Sequence, residues 1–339
     1  MSKTASDAVF DCIAASEELP TIPGVAIEVL ALARNADVSL GDIAHVVSRD
    51  PALAARILRL ANSSFFGATA KAGTVTQALV RLGLRASLSV VLGFSVVTEF
   101  SHAATQSPHM RCIWNMSLLS SVAAKIIEER TRGHFMEEAF TAALLQDLGM
   151  LAMITTVPEH YVDVLNVVRD DSSVEVHEIE QSLLGTNHMD VGVYLLSMWN
   201  VPDSIVGPIG AHHSPDALRP TNYDDYRLAR AMQAADSLSR LICQGRTHAN
   251  ILRCIRLFRD YLRWPPTFIV PFVRDLVPSI RQFSRLLSIE ISDDLLGQMN
   301  QAASPEPGEV DVWNEAIQSV TGGTPDDSAS PDQATVGGS

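Results

Sequence analysis

Apolar residues recur at three- and four-residue spacing along most of the chain, and no run alternates residue by residue. The pattern predicts an all-α protein. A first block reads as short helices over 24–35, 39–48, 51–62, 75–82 and 84–100. Asp50-Pro51 places an N-cap ahead of a Pro at the first helical position, where the missing N–H is harmless. Thr74-Val75-Thr76-Gln77 has the pattern of a capping box, and Leu82-Gly83-Leu84 marks a break between helices. Beyond Pro108 longer helices are expected over 110–131, 136–155, 159–169, 174–184, 188–199, 202–212 and 224–244. A third block, about 249–300, is again helical, with Arg253, Arg256, Arg259 and Arg263 on its faces and a break at Pro265-Pro266. From about 302 onward Gly, Pro, Ser, Thr and Asp dominate. Such a segment buries too little to offset chain entropy of about 1–2 kcal/mol per residue. It is expected to be disordered, with at most a short helix around 312–320. The expected organisation is an N-terminal helical lobe (1–105), a second helical lobe (106–246), C-terminal helices (247–301) and a disordered acidic tail (302–339). No repeat of fixed period is present.

Composition narrows the function classes. The 339 residues are 47% hydrophobic and 19% charged, which describes a well-supplied globular core. The net charge of −14 argues against a broad nucleic-acid surface. Seven acids and no Lys or Arg follow Ser304, so half of that excess sits in the tail. Cys12, Cys112, Cys243 and Cys254 form no CxxC pair, and their scatter fits a reducing cytoplasm rather than a disulfide framework. The first twenty residues carry four acids and no apolar core, so they do not read as a signal peptide. The most apolar stretch, 88–97, is too short to span a bilayer. A Gly-rich phosphate loop in a strand–helix context and a GxSxG elbow are both missing.

Several motifs follow one another in a specific order. They are Leu19-Pro20-Thr21-Ile22-Pro23, Ser48-Arg49-Asp50-Pro51-Ala52-Leu53, Leu60 to Gly67, Ala78 to Leu84, Ile113-Trp114-Asn115-Met116-Ser117, Leu144 to Gly149, Gly185 to Gly192, Trp199-Asn200-Val201-Pro202 and His212-His213. Over about residues 19–216 the chain resembles the HDOD family of bacterial signalling domains. The resemblance implies an HD-domain-like helical bundle with an N-terminal helical lobe, used in signal transduction through protein contacts. HDOD domains are similar in fold to HD and HD-GYP phosphohydrolases but generally lack their full metal-ligand set. Carried over residue by residue, the ligand positions are Met116, Gln146, Asp147, His188, His212 or His213, and Asp236. Two expected imidazoles are replaced, by Met116 and Gln146.

Each position also has a plain structural explanation. Asp147 lies in an apolar stretch and needs a partner, either a metal or a His or helix N-terminus. Gln146 is a poor ligand where imidazole is preferred. Met116 shares a helical stripe with Cys112, Leu119, Ala123 and Ile126 and reads as a core filler. His188 reads as a capping or partly exposed residue. His212 and His213, if helical, point about 100° apart and cannot both face one pocket squarely. Asp236 and Arg240 read as an ordinary surface pair worth about 0.2–0.5 kcal/mol. Residues 39–62 have a helix–turn–helix outline, but Leu53, Ile57, Leu58 and Leu60 suggest a buried element. Phe65-Phe66 reads as core packing or as a partner anchor.

These readings converge on a cytoplasmic, non-catalytic signalling or scaffold protein. It is expected to bind a protein partner, to use no cofactor or metal, and neither to bind nucleic acid nor to insert in a membrane. The pocket left by the old metal site is a candidate for a small ligand. The alternative is a metal-dependent phosphohydrolase acting on nucleotides or cyclic dinucleotides. A DNA-binding regulator is the third reading.

Overall fold

The computed structural model describes residues 5–321, apart from 17–18, 20–22, 34, 36, 64–70, 104–106, 172 and 288–290. All regular structure among the described residues is helical. The N-terminal part comprises α1 (Ala5–Ala15), α2 (Gly24–Ala33), α3 (Leu40–Val47), α4 (Pro51–Ala61), α5 (Val75–Leu82) and α6 (Leu84–Ala103). The central part comprises α7 (Pro108–Arg130), α8 (Met136–Leu145), α9 (Leu148–Thr156), α10 (Pro158–Asp170), α11 (Val176–Leu184), α12 (His188–Met198), α13 (Asp203–Gly210) and α14 (Tyr223–Cys243). Then come α15 (His248–Leu257), α16 (Ile269–Leu287), α17 (Asp293–Ala303) and α18 (Pro307–Thr321). α1 was not anticipated; its Val9 and Ile13 are buried and it packs on α9.

Local chemistry explains the helix ends. Asp50 caps α4 by accepting from the N–H groups of Ala52 and Leu53, with Pro51 next in line. Ser39 and Asp42 form a full capping box on α3. The Thr74 box is only half made: Thr74 accepts from Gln77 N–H, but the Gln77 side chain turns to the N–H of Gly73. α4 buries Leu53, Ile57 and Leu60, so its apolar stripe faces the core.

α7 is the central post, packed along α8 and α14, while α8 also meets α6 and so joins the N-terminal helices to the centre. α16 packs on α4, α7 and α17, and Phe283 on it meets Phe140 of α8 with ring centroids 4.5 Å apart. Met136–Thr156 is apolar enough in length and composition to cross a membrane, and 83% of its most apolar window is buried inside the protein.

The structure corrects two expectations about helices. The single helix expected over 136–155 is broken, because Gln146 and Asp147 form a turn between α8 and α9. The tail expected to be disordered from 302 instead carries α18, which packs on α15 with Trp313, Ala316 and Ile317 buried. Arg246 donates to Glu309 at 2.6 and 2.8 Å, and Arg259 donates to the carbonyl of Val320 at 2.9 Å. The tail beyond Thr321 lies outside the described residues, as do Phe65 and Phe66.

Candidate functional site

The turn at Gln146-Asp147 is the start of the site. Both residues are almost wholly buried, and Asp147 stands at the N-cap of α9 without making a capping bond. Its carboxylate is therefore free to face inward. Gly149, two residues on, lies so close to α12 that an added Cβ would stand 2.0 Å from the carbonyl oxygen of His188. Only glycine allows this approach. It brings the first residue of α12 against the turn.

The placement of His188 is set from the other side by the α11–α12 junction. Gly185 adopts a left-handed conformation (φ 70°) and ends α11. Asn187 then caps α12, its side chain accepting from the N–H groups of Met189 and Asp190. His188 is fully buried, not partly exposed. Glu180 holds it twice, accepting from its backbone N–H at 2.8 Å and lying 2.6 Å from its Nδ1. Tyr161 donates to the other Glu180 oxygen at 2.5 Å.

His212 and His213 follow α13 in a turn rather than in a helix. The rule that adjacent helical side chains diverge therefore does not apply. Both Nε2 atoms reach Nε2 of His188, at 3.4 Å and 3.2 Å. Nδ1 of His212 is 2.7 Å from the carbonyl of Ile209 and donates to it, which leaves the Nε2 lone pair of His212 free.

Opposite the imidazoles stands a pair of carboxylates. Nε2 of Gln146 donates to Asp236 at 3.2 Å and stands 3.5 Å from Asp147. Arg240 donates to the other oxygen of Asp236 at 2.8 Å. This pair is buried, at 4% and 3% exposure, so it is not a surface pair. Nε2 of His188 lies 4.0 Å from Asp147, linking the two halves. Met116 is buried but its recorded contact is elsewhere: its sulfur accepts from Gln244, two turns along α14 from Asp236.

The electrostatics follow from burial and these partners. Burial and the neighbouring Asp236 push the Asp147 carboxyl up to about 6. Burial works against a charge on His188, but Glu180 outweighs it and raises the imidazole above its usual value. Burial, and then His188, lower His212 to about 3. Burial and His212 hold His213 well below the usual range. One proton is thus favoured on His188, and its two neighbours are neutral acceptors.

The HD fold implies a metal pair, and the two halves answer that differently. A tetrahedral ion with metal–nitrogen bonds of about 2.0–2.1 Å holds its ligand atoms about 3.3–3.4 Å apart. The two spacings from Nε2 of His188 are close to that, the ligand atoms of all three histidines lie within 4.8 Å of one another, and Glu180 and the Ile209 carbonyl orient two of the rings as partners of metal-bound histidines do. His188, His212 and His213 therefore fit one ion, which could act as a Lewis acid. The carboxylate half does not fit a second, because Gln146 and Arg240 already take the oxygens of Asp236.

A pocket of about 570 Å³ opens beside this cluster, with His213 and Asp236 in its wall. Glu175, His177, Arg253 and Arg256 also line it. His177 stacks on His213 with centroids 4.4 Å apart. Sequence reasoning passed over Glu175, His177, Glu180 and Tyr161. For Glu180 and His177 the available signal was a polar residue five and eight positions before the matched Gly185–His188 segment; Glu175 and Tyr161 lie farther upstream.

A family model for the HDOD domain matches residues 19–215. The chain belongs to the HDOD family. A Geobacter sulfurreducens HDOD domain protein of unknown function is similar in structure, with a TM-score of 0.61 at 22% identity over 82% of this chain and 96% of that one. A Shewanella amazonensis SB2B protein named for a suspected phosphohydrolase activity gives 0.52 at 21% identity, covering 92% and 98%. A Treponema pallidum (strain Nichols) protein is 24% identical over 209 residues, which are 60% of this HDOD chain and 40% of that relative. The chain thus spans less than half the length of that relative. The structural likenesses establish the shared all-helical fold.

Proposed function

We propose that this HDOD protein transmits a signal through protein contacts and carries out no hydrolysis of its own. One observation carries the reading. Between Asp147 and Asp236, where a phosphohydrolase of this fold would hold a cation, the amide of Gln146 and the guanidinium of Arg240 satisfy the carboxylates. Two-metal chemistry needs those oxygens for the ions. The test is turnover of cyclic dinucleotides and nucleotides with manganese or iron supplied. No turnover is expected. Turnover that Asp147→Ala abolishes would overturn the proposal.

The histidine trio favours a second reading, a hydrolase using a single ion. Metal content and turnover separate the two readings, because bound metal without turnover leaves the signalling reading in place. The protein partner, and a location in the cytoplasm, remain part of the proposal. The described helices bury their apolar stripes in one continuous core, which supports the exclusion of membrane insertion.

A further inference from the structure

Glu175, Glu178 and Asp236 line the pocket beside the histidines, yet Arg256 and Nδ1 of His177 in the same wall are not engaged by those acids. The carboxylate of Glu175 sits between two arginines: one oxygen pairs with Arg253, and the other is 3.9 Å from Arg240. Arg256 lines the same pocket, is exposed, and has no ion-pair partner among the described residues. Nδ1 of His177 is buried without a hydrogen-bond partner. Glu175 is also the N-cap of α11 but makes no side-chain capping bond. Among the described residues the N–H groups of Val176 and His177 have no acceptor, while that of Glu178 reaches the Glu175 carbonyl at 3.0 Å.

We propose that this pocket receives the phosphate group of a small organic phosphate, and that Glu175 is a built-in occupant which the ligand displaces from Arg253. A phosphate suits the site because it offers several acceptor oxygens to donors converging from different elements. The remaining volume and the apolar wall of Ala249, Leu252 and Leu257 leave room for the carbon part of the ligand. Arg253 and Arg256, both on α15, take the phosphate. Glu175, released, closes on Arg240, which already holds Asp236. Glu175 adjoins α11, and α11 carries Glu180, the residue that fixes His188. Ligand binding therefore reaches the histidine cluster through one short helix, a physical link from pocket to core.

This inference rests on the signalling reading above, and its test keeps the two apart. Adenosine monophosphate, inorganic phosphate and uncharged adenosine are titrated calorimetrically into the full chain in chelator. Adenosine monophosphate is expected to bind and adenosine not to. Arg253→Ala and Arg256→Ala should each weaken binding about tenfold, the usual scale for a charged contact to phosphate. Glu175→Gln should tighten it, because the internal competitor loses its charge. Those opposite signs are the signature of displacement. Arg256 is exposed, so its variant tests the pocket even if a Glu175 variant folds poorly. No binding of either phosphate by wild type, or weaker binding by folded Glu175→Gln, would overturn the inference. Hydrolysis of adenosine monophosphate in a parallel assay, without chelator and with manganese supplied, would instead sink the signalling reading and leave the pocket standing.

Discussion

The two halves of the HD-like site are built in opposite ways. On the carboxylate side a protein amide and a guanidinium do the work of a cation, and the acids are kept as structural partners. On the imidazole side the nitrogens still converge, and the residues that orient them are intact. The difference shows that one half of such a site can be closed by protein donors while the other keeps its converging nitrogens. A carboxylate pair must find new donors as soon as a ligand is lost, because buried unpaired charge is costly. The neutral imidazoles of His212 and His213 carry no such requirement, and the proton favoured on His188 already has Glu180 as its partner.

The largest effect should come from removing the substitute cation. Arg240→Ala leaves Asp236 and Asp147 facing each other in the core with only Gln146 between them. Breaking a buried pair in this way typically costs about 3–5 kcal/mol, and denaturant unfolding measures it. A loss below about 1 kcal/mol would mean that the carboxylate half is not held by charge.

Zinc should separate the halves next. If the three Nε2 atoms hold one ion, zinc at 100 times its dissociation constant raises stability by about 2.7 kcal/mol. His212→Ala should abolish the gain, and Gln146→Ala should leave it nearly intact. Two ions per chain, or a gain lost with Gln146→Ala, would join the halves again.

Acid should act with opposite signs on individual groups of the two halves. His212 has a folded value of about 3, below its unfolded one near 6.5, so its contribution is present at neutral pH and is lost as pH falls between those values. Asp147 has a folded value of about 6, above its unfolded one, so the cost of ionising it is relieved as pH falls through 6. The raised value of His188 also adds stability on the acid side, in a contribution lost as pH rises through its folded value. His212 and Asp147 therefore oppose each other below neutral pH, and His213, also held low, adds to the loss on the acid limb. His212→Asn should shallow that acid limb, and unfolding midpoints across pH read it.

Much of this was legible from the chain. Helix positions followed from apolar spacing and from caps such as Asp50-Pro51, because those signals are local. The motifs over about residues 19–216 pointed to the family, which the family model matches over 19–215. The turn at Gln146-Asp147 was hidden, since a broken helix buried on all sides has the same apolar pattern as a straight one. The convergence of His212 and His213 was hidden too, because it depends on where α13 ends. α18 was foreseen only in part, as a short helix around 312–320, because the composition around it hid its full extent of Pro307–Thr321 and its packing on the body. Glu180 could not be picked out, since its role comes from a fold that sets two helix ends side by side.

The smallest expected effect tests whether Met116 belongs to either half. By resemblance it occupies a lost imidazole position, which suggests that Met116→His with Gln146→His would rebuild a cluster. The structure places its sulfur against Gln244 instead. Gln146→His alone puts an imidazole between Asp147 and Asp236, where it can accept a proton or a metal. Adding Met116→His should then change metal stabilisation by less than about 0.5 kcal/mol, the range of substitutions that touch no special feature. It should also lower the stability of the metal-free form, because a polar ring replaces an apolar chain in the core. Zinc or manganese titration of both variants, followed by the unfolding midpoint, measures the difference. A clear further gain in the double variant would show that α7 can turn this position toward Asp236. The carboxylate half would then be a dormant metal site rather than a replaced one.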